Sequence, residues 1–553
     1  MRLLVCGLAL VAQSASAQLA PSAGGQLQQI PPEVTSPKAA PDFHVERGPS
    51  AAINSDSGGP TFAAQTLHIT GITQFPESEL ILASGFRAGA QISLNDLRGM
   101  AARVTAYYNS EGYFLAQAYV PAQTIAGGSV TLAVTEGRYG KIGFNNRTHL
   151  SNGIANGVIV GLDHGDIVET APLERRLLLL SDIPGVVVHS TLSPGSEVGT
   201  SDLMVDLDRG RTVTGDIEAD NAGNRYTGAY RGGGTVNLNN ALGIGDVLSL
   251  RVLTSFDGFT YGRLSYQAMV GKATVGVAYA HIGYRLGREF AGLDASGTAD
   301  IASLYASYPL VRSRNSNLYL LGGVDAKWFT DNLGFIPSTS RRRTQVGSVG
   351  LSGDSHDGFG GGGWNVYSAA ISFGNLDIRG AADRAFDAAT ARANGGYGKL
   401  QLAYSRLQTV AGPFMVYGSI RSQVAFNNLD ISEKMELGGA YAVRAYPEGE
   451  AYGDQGYVAT IEPRLRLNGL VDGIPGDLQL FGLVDVGEVD YAKDPWLAGS
   501  NHAQRSAYGG GLSWAAPHGF YLKGTYARKL GSERATSAPD ESGRFWFQVV
   551  KTF

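Results

Sequence analysis

Beyond about residue 210, apolar side chains recur at every second position. The clearest stretches are Leu248/Leu250/Val252, Leu318/Leu320/Val324, Leu478/Leu480/Val484/Val486 and Phe545/Phe547/Val549. Ser249, Arg251, Asp325, Lys327, Gln479, Asp485, Arg544 and Gln548 hold the opposite parity. A period of two predicts strands that are apolar on one face and polar, charged or small on the other. A soluble sandwich and a membrane barrel share that pattern, so the connections decide between them. Short links near 243–246, 271–272, 314–315, 360–363, 411–413, 473–476 and 517–519 alternate with longer ones near 288–295, 334–340, 379–396, 429–456, 493–504 and 532–543. Tight turns at one end and long loops at the other are the arrangement of an outer-membrane barrel. Counting strands over 211–553 gives about sixteen, an even number that brings the terminal Phe553 back to the starting side. A barrel of that size encloses a water-filled lumen.

The N-terminal half follows another rhythm. Residues 61–139 read as strand, helix, helix, strand, strand: Leu67, Ile69 and Ile72 open the unit, Leu94, Leu97, Val104 and Tyr108 recur at helical spacing, and Phe114 to Val120 and Val130 to Val134 read as strands. Residues 140–210 repeat the order, from Ile142–Phe144 through a helix with Pro172 and Glu174 in its first turn to strands Val186–His189 and Leu203–Leu207. Residues 18–60, which hold Pro21, Pro31, Pro32, Pro37, Pro41 and Pro49 among Ala, Ser and Gly, read as an extended or disordered linker. The expected architecture is therefore a membrane all-β barrel of sixteen antiparallel strands preceded by two small periplasmic α/β modules.

Composition agrees with two parts in two solvents. The 553 residues are 43% hydrophobic and only 17% charged, with net charge −5, against roughly 25% charged in an ordinary soluble domain. All five tryptophans, 21 of 26 tyrosines and 52 of 76 glycines lie beyond Gly210, as expected where aromatic residues gather at membrane interfaces and glycines at turns. The near-neutral balance gives no electrostatic argument for nucleic acid. Arg2, the apolar stretch Leu3–Ala12 and Ala15-Ser16-Ala17 form a secretory signal over residues 1–17. The only cysteine, Cys6, lies within it, so the exported chain would have no disulfide and no thiol chemistry.

Catalytic signatures are missing. The nine histidines are scattered with none within four positions of another, which gives no zincin-type metal site, and no cofactor is expected. Gly358-Phe359-Gly360-Gly361-Gly362-Gly363 matches GxGxxG literally, but the strand pattern after it reads as a barrel turn and not a dinucleotide loop. The chain is not read as an enzyme.

The connection Leu429–Gly456 carries Tyr441-Ala442-Val443-Arg444-Ala445-Tyr446-Pro447, a run too apolar and stiff for a solvated loop. It either caps the barrel or folds into the lumen, where Arg444 needs a carboxylate. Asp485 has the lumen-facing parity of its strand and offers a planar two-bond partner. Glu462, Arg464 and Arg466 also face inward, either as a solvated wall or as groups that hold the loop.

Several runs together resemble a known family. Tyr107-Tyr108-Asn109-Ser110-Glu111-Gly112-Tyr113, Pro121-Ala122-Gln123 and Glu136-Gly137-Arg138 stand in the first unit; Leu173-Glu174-Arg175-Arg176, Ile183-Pro184-Gly185-Val186, Pro194-Gly195 and Gly199–Leu203 in the second. Asp220–Gly223 and Asn239–Asp246 stand at the barrel entrance, Val443-Arg444-Ala445-Tyr446 in the loop, and Phe481–Gly487 on its partner strand. The chain resembles the two-partner secretion transporters of the haemolysin/haemagglutinin secretion-activation family, within the superfamily that joins periplasmic POTRA modules to a sixteen-stranded barrel. The resemblance implies a monomeric outer-membrane translocator, surrounded by outer-membrane lipid, that accepts an unfolded exported partner through its N-terminal secretion domain and passes it to the cell surface. It implies partner recognition by the first module around Tyr113, Gln123, Glu136 and Gly137, by way of a strand added to an exposed sheet edge. It also implies a lumenal loop and partner strand built on Val443, Arg444, Tyr446, Asp485 and Gly487. A barrel-assembly factor of the same superfamily and a passive porin or ligand transporter are the alternatives. Two departures stand out: Ala445 replaces a frequent glycine, and Gln26–Ile30, stopped by Pro31-Pro32, is too short for the family's lumen-plugging helix, so that either the plug is degenerate here or the segment is more than a linker.

Overall fold

The structure, a computed structural model, describes residues 21–31, 42–45, 60–468 and 473–553. The signal expected over 1–17 and most of the linker lie outside the described residues.

Sixteen antiparallel strands, from Val213–Asp220 to Gly543–Thr552, form a closed barrel. Closure comes from pairing the last strand with the first, Asp216 opposite Thr552 through Asp220 opposite Gln548, so that no sheet edge is left in the membrane. The wall is uneven: the first strand has 8 residues and Ser338–Asp357 has 20. Side chains alternate as the period of two requires. Leu250, Leu264, Val277, Leu304, Val324 and Val349 face outward and are about half exposed, forming the band that meets lipid. On strands Gln455–Arg466 and Asp477–Asp490 the opposite parity is buried by segments folded into the lumen, with Asp485, Glu462, Phe481 and Leu483 all less than 5% exposed, whereas Gln401, on the lumen face opposite Gln423, stays exposed. Two outer connections not anticipated from sequence, 221–230 and 255–258, complete the long-loop end. The glycine run 358–363 is a turn in which Gly360, Gly361 and Gly362 take positive φ.

The first module packs helices Glu77–Ser84 and Leu94–Ser110 on a three-stranded sheet ordered Thr66–Thr70, Ser129–Thr135, Gln117–Tyr119. Ser93 and Asp96 form a reciprocal capping box at the start of the long helix, whose Leu97, Val104 and Tyr108 enter the core with Leu67, Ile69 and Leu132. The strand expected over Phe114–Val120 shortens to Gln117–Tyr119 because residues 113–116 close a turn, with the Ala116 N–H donating to the Tyr113 carbonyl at 3.0 Å.

The second module packs Asn152–Ile159 and Thr170–Ser181 on Val186–Pro194, Thr200–Arg209 and Arg138–Asn146. It rests on the short-turn end of the barrel. Arg312 grips Asp182 with two bonds of 2.7 and 2.9 Å, Arg314 meets Glu174 at 3.0 Å, and the Ser151 N–H donates to the Gly243 carbonyl at 2.7 Å. Two stretches of the expected linker have structure. Asp42–Val45 adds a parallel strand to the edge Val186–Pro194, and Ala23–Gln28 is a helix inside the barrel.

If the even-numbered face of Val247–Thr254 meets lipid, Leu250→Arg should destabilise the barrel by about 2–4 kcal/mol, whereas Ser249→Arg on the lumen face should leave it near wild type. The urea unfolding midpoint in lipid vesicles measures this, and equal midpoints for the two variants would refute the assignment of faces.

Candidate functional site in the barrel lumen

Strand Phe414–Ala425 ends where the connection 426–454 turns back into the barrel. A two-residue ladder, Met435–Glu436 against Tyr452–Gly453, closes its base. Above it the Val443 N–H donates to the Leu437 carbonyl and the Tyr446 N–H to the Val443 carbonyl, both at 3.1 Å, which presents Arg444 at a turn apex. Val443, Ala445 and Tyr446 are fully buried. Ala445 does not take positive φ, so the residue found where glycine is frequent causes no backbone strain.

Arg444 is 5% exposed and fully engaged. Its Nε and one terminal nitrogen donate to the two oxygens of Asp485 at 2.8 and 2.6 Å, and the other donates to Glu462 Oε1 at 2.6 Å. Its backbone N–H donates to Asp485 as well, at 3.1 Å, and Trp546 Nε1 donates to its carbonyl at 2.6 Å. Glu462 and Asp485 sit on the neighbouring strands Gln455–Arg466 and Asp477–Asp490, where Thr460 stands opposite Asp485 and donates to it at 2.9 Å. Arg464 closes on Glu462 Oε2 at 2.7 Å and stacks over Tyr417. Arg466 lies apart, half-exposed near the short-turn end, where it pairs with Asp477 at 3.1 Å. Gly487 makes room: a Cβ there would lie 2.6 Å from Leu437 of the loop.

Tyr446 is held between cations, with Arg505 at 5.2 Å and Lys529 at 5.0 Å from its ring centre, and Arg505 in turn bonds Glu450 at 2.7 Å. Neither basic residue stood out in the sequence. The run Asp220–Gly223, expected at the barrel entrance, lies instead at the outer end of the first strand, because that strand starts beside the second module and ends at Asp220.

The lumenal helix was also missed. It docks on the loop and on the wall. Gly24 is so close that a Cβ would lie 3.0 Å from Ile431 and from Ser432, Gln28 donates to the Ser432 carbonyl at 2.5 Å, and Gln29 to the Tyr452 hydroxyl at 2.8 Å. Ala23 N–H meets Asp331 at 2.9 Å. Past its C-terminus, Arg231 and Arg251 donate to the carbonyls of Gln29 and Pro31 at 2.8 and 3.1 Å while pairing with Asp220 and Glu218. Arg231 thus satisfies the carbonyl at the helix C-cap, and Arg251 holds the chain just past it.

In the first module, Glu136 is buried and accepts bonds from the Thr73 N–H and hydroxyl, the Gln74 N–H and the Tyr108 hydroxyl, at 2.6, 2.5, 3.0 and 2.9 Å. Burial alone would raise its pKa, but these donors outweigh it and hold the carboxyl below its ordinary value. Gln123 pairs its amide with both backbone groups of Thr131, and Gly137 takes φ 76° beside Leu115. Of the four residues expected at the recognition face, these three are thus engaged internally. Tyr113 remains partly exposed, edge-on to Phe75 and bonded to Gln74 at 3.1 Å.

Comparison with known proteins places this geometry. Residues 199–505 match the model of the haemolysin secretion/activation proteins ShlB/FhaC/HecB, and residues 62–137 match the ShlB-type POTRA domain. The heme/hemopexin transporter protein HuxB of Haemophilus influenzae strain 86-028NP is 26% identical over 484 residues, covering 84% of this chain and 82% of that protein. The outer membrane transporter CdiB of Dickeya dadantii is 24% identical over 420 residues, 73% of each chain. Among solved structures, CdiB from Escherichia coli aligns with a TM-score of 0.69 at 19% identity, covering 91% of this chain and 93% of its own. BamA from Haemophilus ducreyi lacking POTRA domains 1–3 shares the fold, with a TM-score of 0.53 at 14% identity over 89% of this chain and all of its own.

Removing one partner of a fully buried ion pair costs about 3–5 kcal/mol. Arg444→Ala should therefore lower barrel stability by that amount, and Asp485→Ala should add much less in the Arg444→Ala background than alone. Thermal unfolding of the four members of the cycle measures the coupling, and additive losses would mean that the pair is not coupled. Glu136 predicts a pH dependence. Its depressed folded-state pKa means that its stabilisation is complete above the ordinary glutamate range and is lost as pH falls through the lower folded value. Hydrogen exchange should show first-module protection falling in that acid window for the wild type, with the fall reduced in Glu136→Gln.

Proposed function

The chain belongs to the haemolysin secretion/activation family and is an outer-membrane transporter of two-partner secretion, and we propose that its lumenal loop and helix together form a closed gate that the exported partner displaces. The barrel lies in the outer membrane with its POTRA modules in the periplasm, and it transports a secreted partner protein. One observation carries the gating reading. The inward face of the barrel is covered by two segments of the chain's own, each anchored by charged bonds to the wall and each bonded to the other. A passive porin needs no such double closure.

The first module engages the N-terminal secretion domain of the partner. Gln123, Glu136 and Gly137 act by fixing the shape of that module, and Tyr113 lies on the surface they shape. The strand Gln117–Tyr119 is an edge of its sheet and could be extended by a strand of the partner. The second module, gripped by Arg312 and Arg314, serves as a fixed base that aims the entering segment at the lumen. The transporter works as a monomer in outer-membrane lipid, without nucleic acid, cofactor or catalytic step. The fold shared with BamA also fits a barrel-assembly factor, but the family match and the two-module organisation favour secretion.

A reversible tether tests the gate. Gly24→Cys with Ser432→Cys places the two Cβ atoms 3.0 Å apart, a few tenths of an ångström inside the range of a disulfide, so a small shift of the helix lets the bridge form. Under oxidising conditions secretion of the cognate partner should stop, and it should return on reduction. Wild-type secretion through a fully cross-linked protein would show that the helix does not have to leave the loop.

A further inference from the structure

The upper outer wall carries a group of arginines that neither the gate nor the modules use. Strand Ser338–Asp357 holds Arg341, Arg342 and Arg343 just below the outer loop 334–337. Arg342 points into the lumen, where it bonds Asp331 and Asp430 at 2.6 Å. The alternation of a strand then turns Arg341 and Arg343 outward. On the next strand, Gly363–Ile378, Asp377 stands opposite Arg343. Two residues further, just past the end of that strand, the Arg379 N–H bonds the Arg341 carbonyl at 2.9 Å, which sets the two arginines side by side.

Like charges placed opposite each other on a sheet are destabilising unless something neutralises them. The only carboxylate bonded within the group is Asp377, taken by Arg379 at 2.8 Å. Among the described residues no acidic side chain pairs with Arg341 or Arg343, and Arg343 Nε is buried without a hydrogen bond. Three guanidiniums thus share one carboxylate. On the other side Trp328 stands opposite Arg343, which lies 5.6 Å over its ring, and Trp328 is itself exposed toward the membrane. Further down the same outward face come Val349 and Leu351, in the apolar band. Tryptophan marks the interface of a barrel, so the arginines lie at the height where lipid headgroups begin.

We propose that Arg341, Arg343 and Arg379, with Trp328 beside Arg343, bind the phosphate of a phosphorylated glycolipid of the outer leaflet. A planar guanidinium presents paired donors that match phosphate oxygens, and the adjacent indole suits the start of the acyl region. A phosphate held between Arg341 and Arg379 removes their repulsion. The bound lipid then fixes strand Ser338–Asp357, which also carries Arg342, one of the contacts between the wall and the lumenal loop.

The test uses the full chain in phosphatidylcholine nanodiscs titrated with diphosphoryl lipid A. The double variant Arg341→Ser/Arg379→Ser should lose about tenfold in affinity, as expected for loss of charge-assisted bonds. Lys272→Ser, in a short turn at the opposite rim, should bind as the wild type does. Asp377→Asn should bind more tightly, because it frees Arg379, and this gain keeps the proposal testable if the double variant folds poorly by heat-modified migration. Lipid A stripped of its phosphates should bind the wild type no better than the double variant. Unchanged affinity in both the double variant and Asp377→Asn would overturn the proposal. So would equal binding of phosphatidylglycerol, which would reduce the effect to charge alone, or displacement by millimolar inorganic phosphate, which would mark a free-anion site.

Discussion

A guanidinium withdrawn from water inside a barrel must have all its donors paired, and the arrangement of the lumen follows from meeting that demand at Arg444. Its two carboxylate partners belong to adjacent strands, so the loop is held by the wall at two points whose separation is set by sheet geometry. The pairing also has to balance charge. Two carboxylates face one arginine, and the second oxygen of Glu462 is taken by Arg464. Thr460 and the Arg444 backbone supply the remaining donors to Asp485. Since Trp546 bonds the Arg444 carbonyl and Tyr446 rests between Arg505 and Lys529, the same turn touches the strands that close the barrel.

Such a network suits a gate better than an apolar plug of equal size. A buried ion pair gains little net stability, because its Coulomb energy is largely offset by desolvation of both ions, yet it is strict about geometry. When the lumen wets, water regains the ions and the cost of parting them falls steeply. The closed state can therefore be unique without being deep. The helix follows the same logic. It has six residues, two of them glycines, and alone would not form. It is retained by bonds to its ends and by the close approach that Gly24 allows, all of which a moving polypeptide can replace with its own backbone groups or with water.

This explains which parts could be read from the chain alone. Period-two alternation, the order of short and long links and the charge logic linking Arg444 to Asp485 each have a local signature. Leu250 facing lipid, the glycine turn at 358–363 and the long helix begun by Ser93 all express preferences contained within a few residues. The lumenal helix has no such signature: Ala23–Gln28 lacks an amphipathic stripe, stands just before two prolines, and is specified by Arg231, Arg251 and Ser432 from more than 200 positions away. Asp42–Val45 likewise gains its conformation from the sheet edge it joins. Glu136, Gln123 and Gly137 show another limit of the chain read alone: the family resemblance pointed to their positions, but the internal bonds of Glu136 and Gln123 and the left-handed turn at Gly137 became visible only with the fold.

The two modules are anchored differently, and that difference bears on how force could reach the gate. The second module meets the barrel through the bidentate Arg312–Asp182 pair, the Arg314–Glu174 pair and the backbone bond from Ser151 to the turn that holds Gly243. The first module is joined to the second through the continuous chain at 135–138 and a few bonds, including the Thr170 hydroxyl and N–H to the Gly112 carbonyl. Arg138 spans that junction, near Glu136 at 3.7 Å and bonded to the Gly165 carbonyl at 2.8 Å. A pull on the first module is borne first by this junction, where Phe114 and Leu115 also pack against the core of the second module, while the second module is held to the barrel by its own ion pairs. The edge strand Asp42–Val45 lies on that fixed module and belongs to the same N-terminal segment as the helix. The edge of the second module and the grip of Arg231 and Arg251 therefore hold two stretches of the same N-terminal segment.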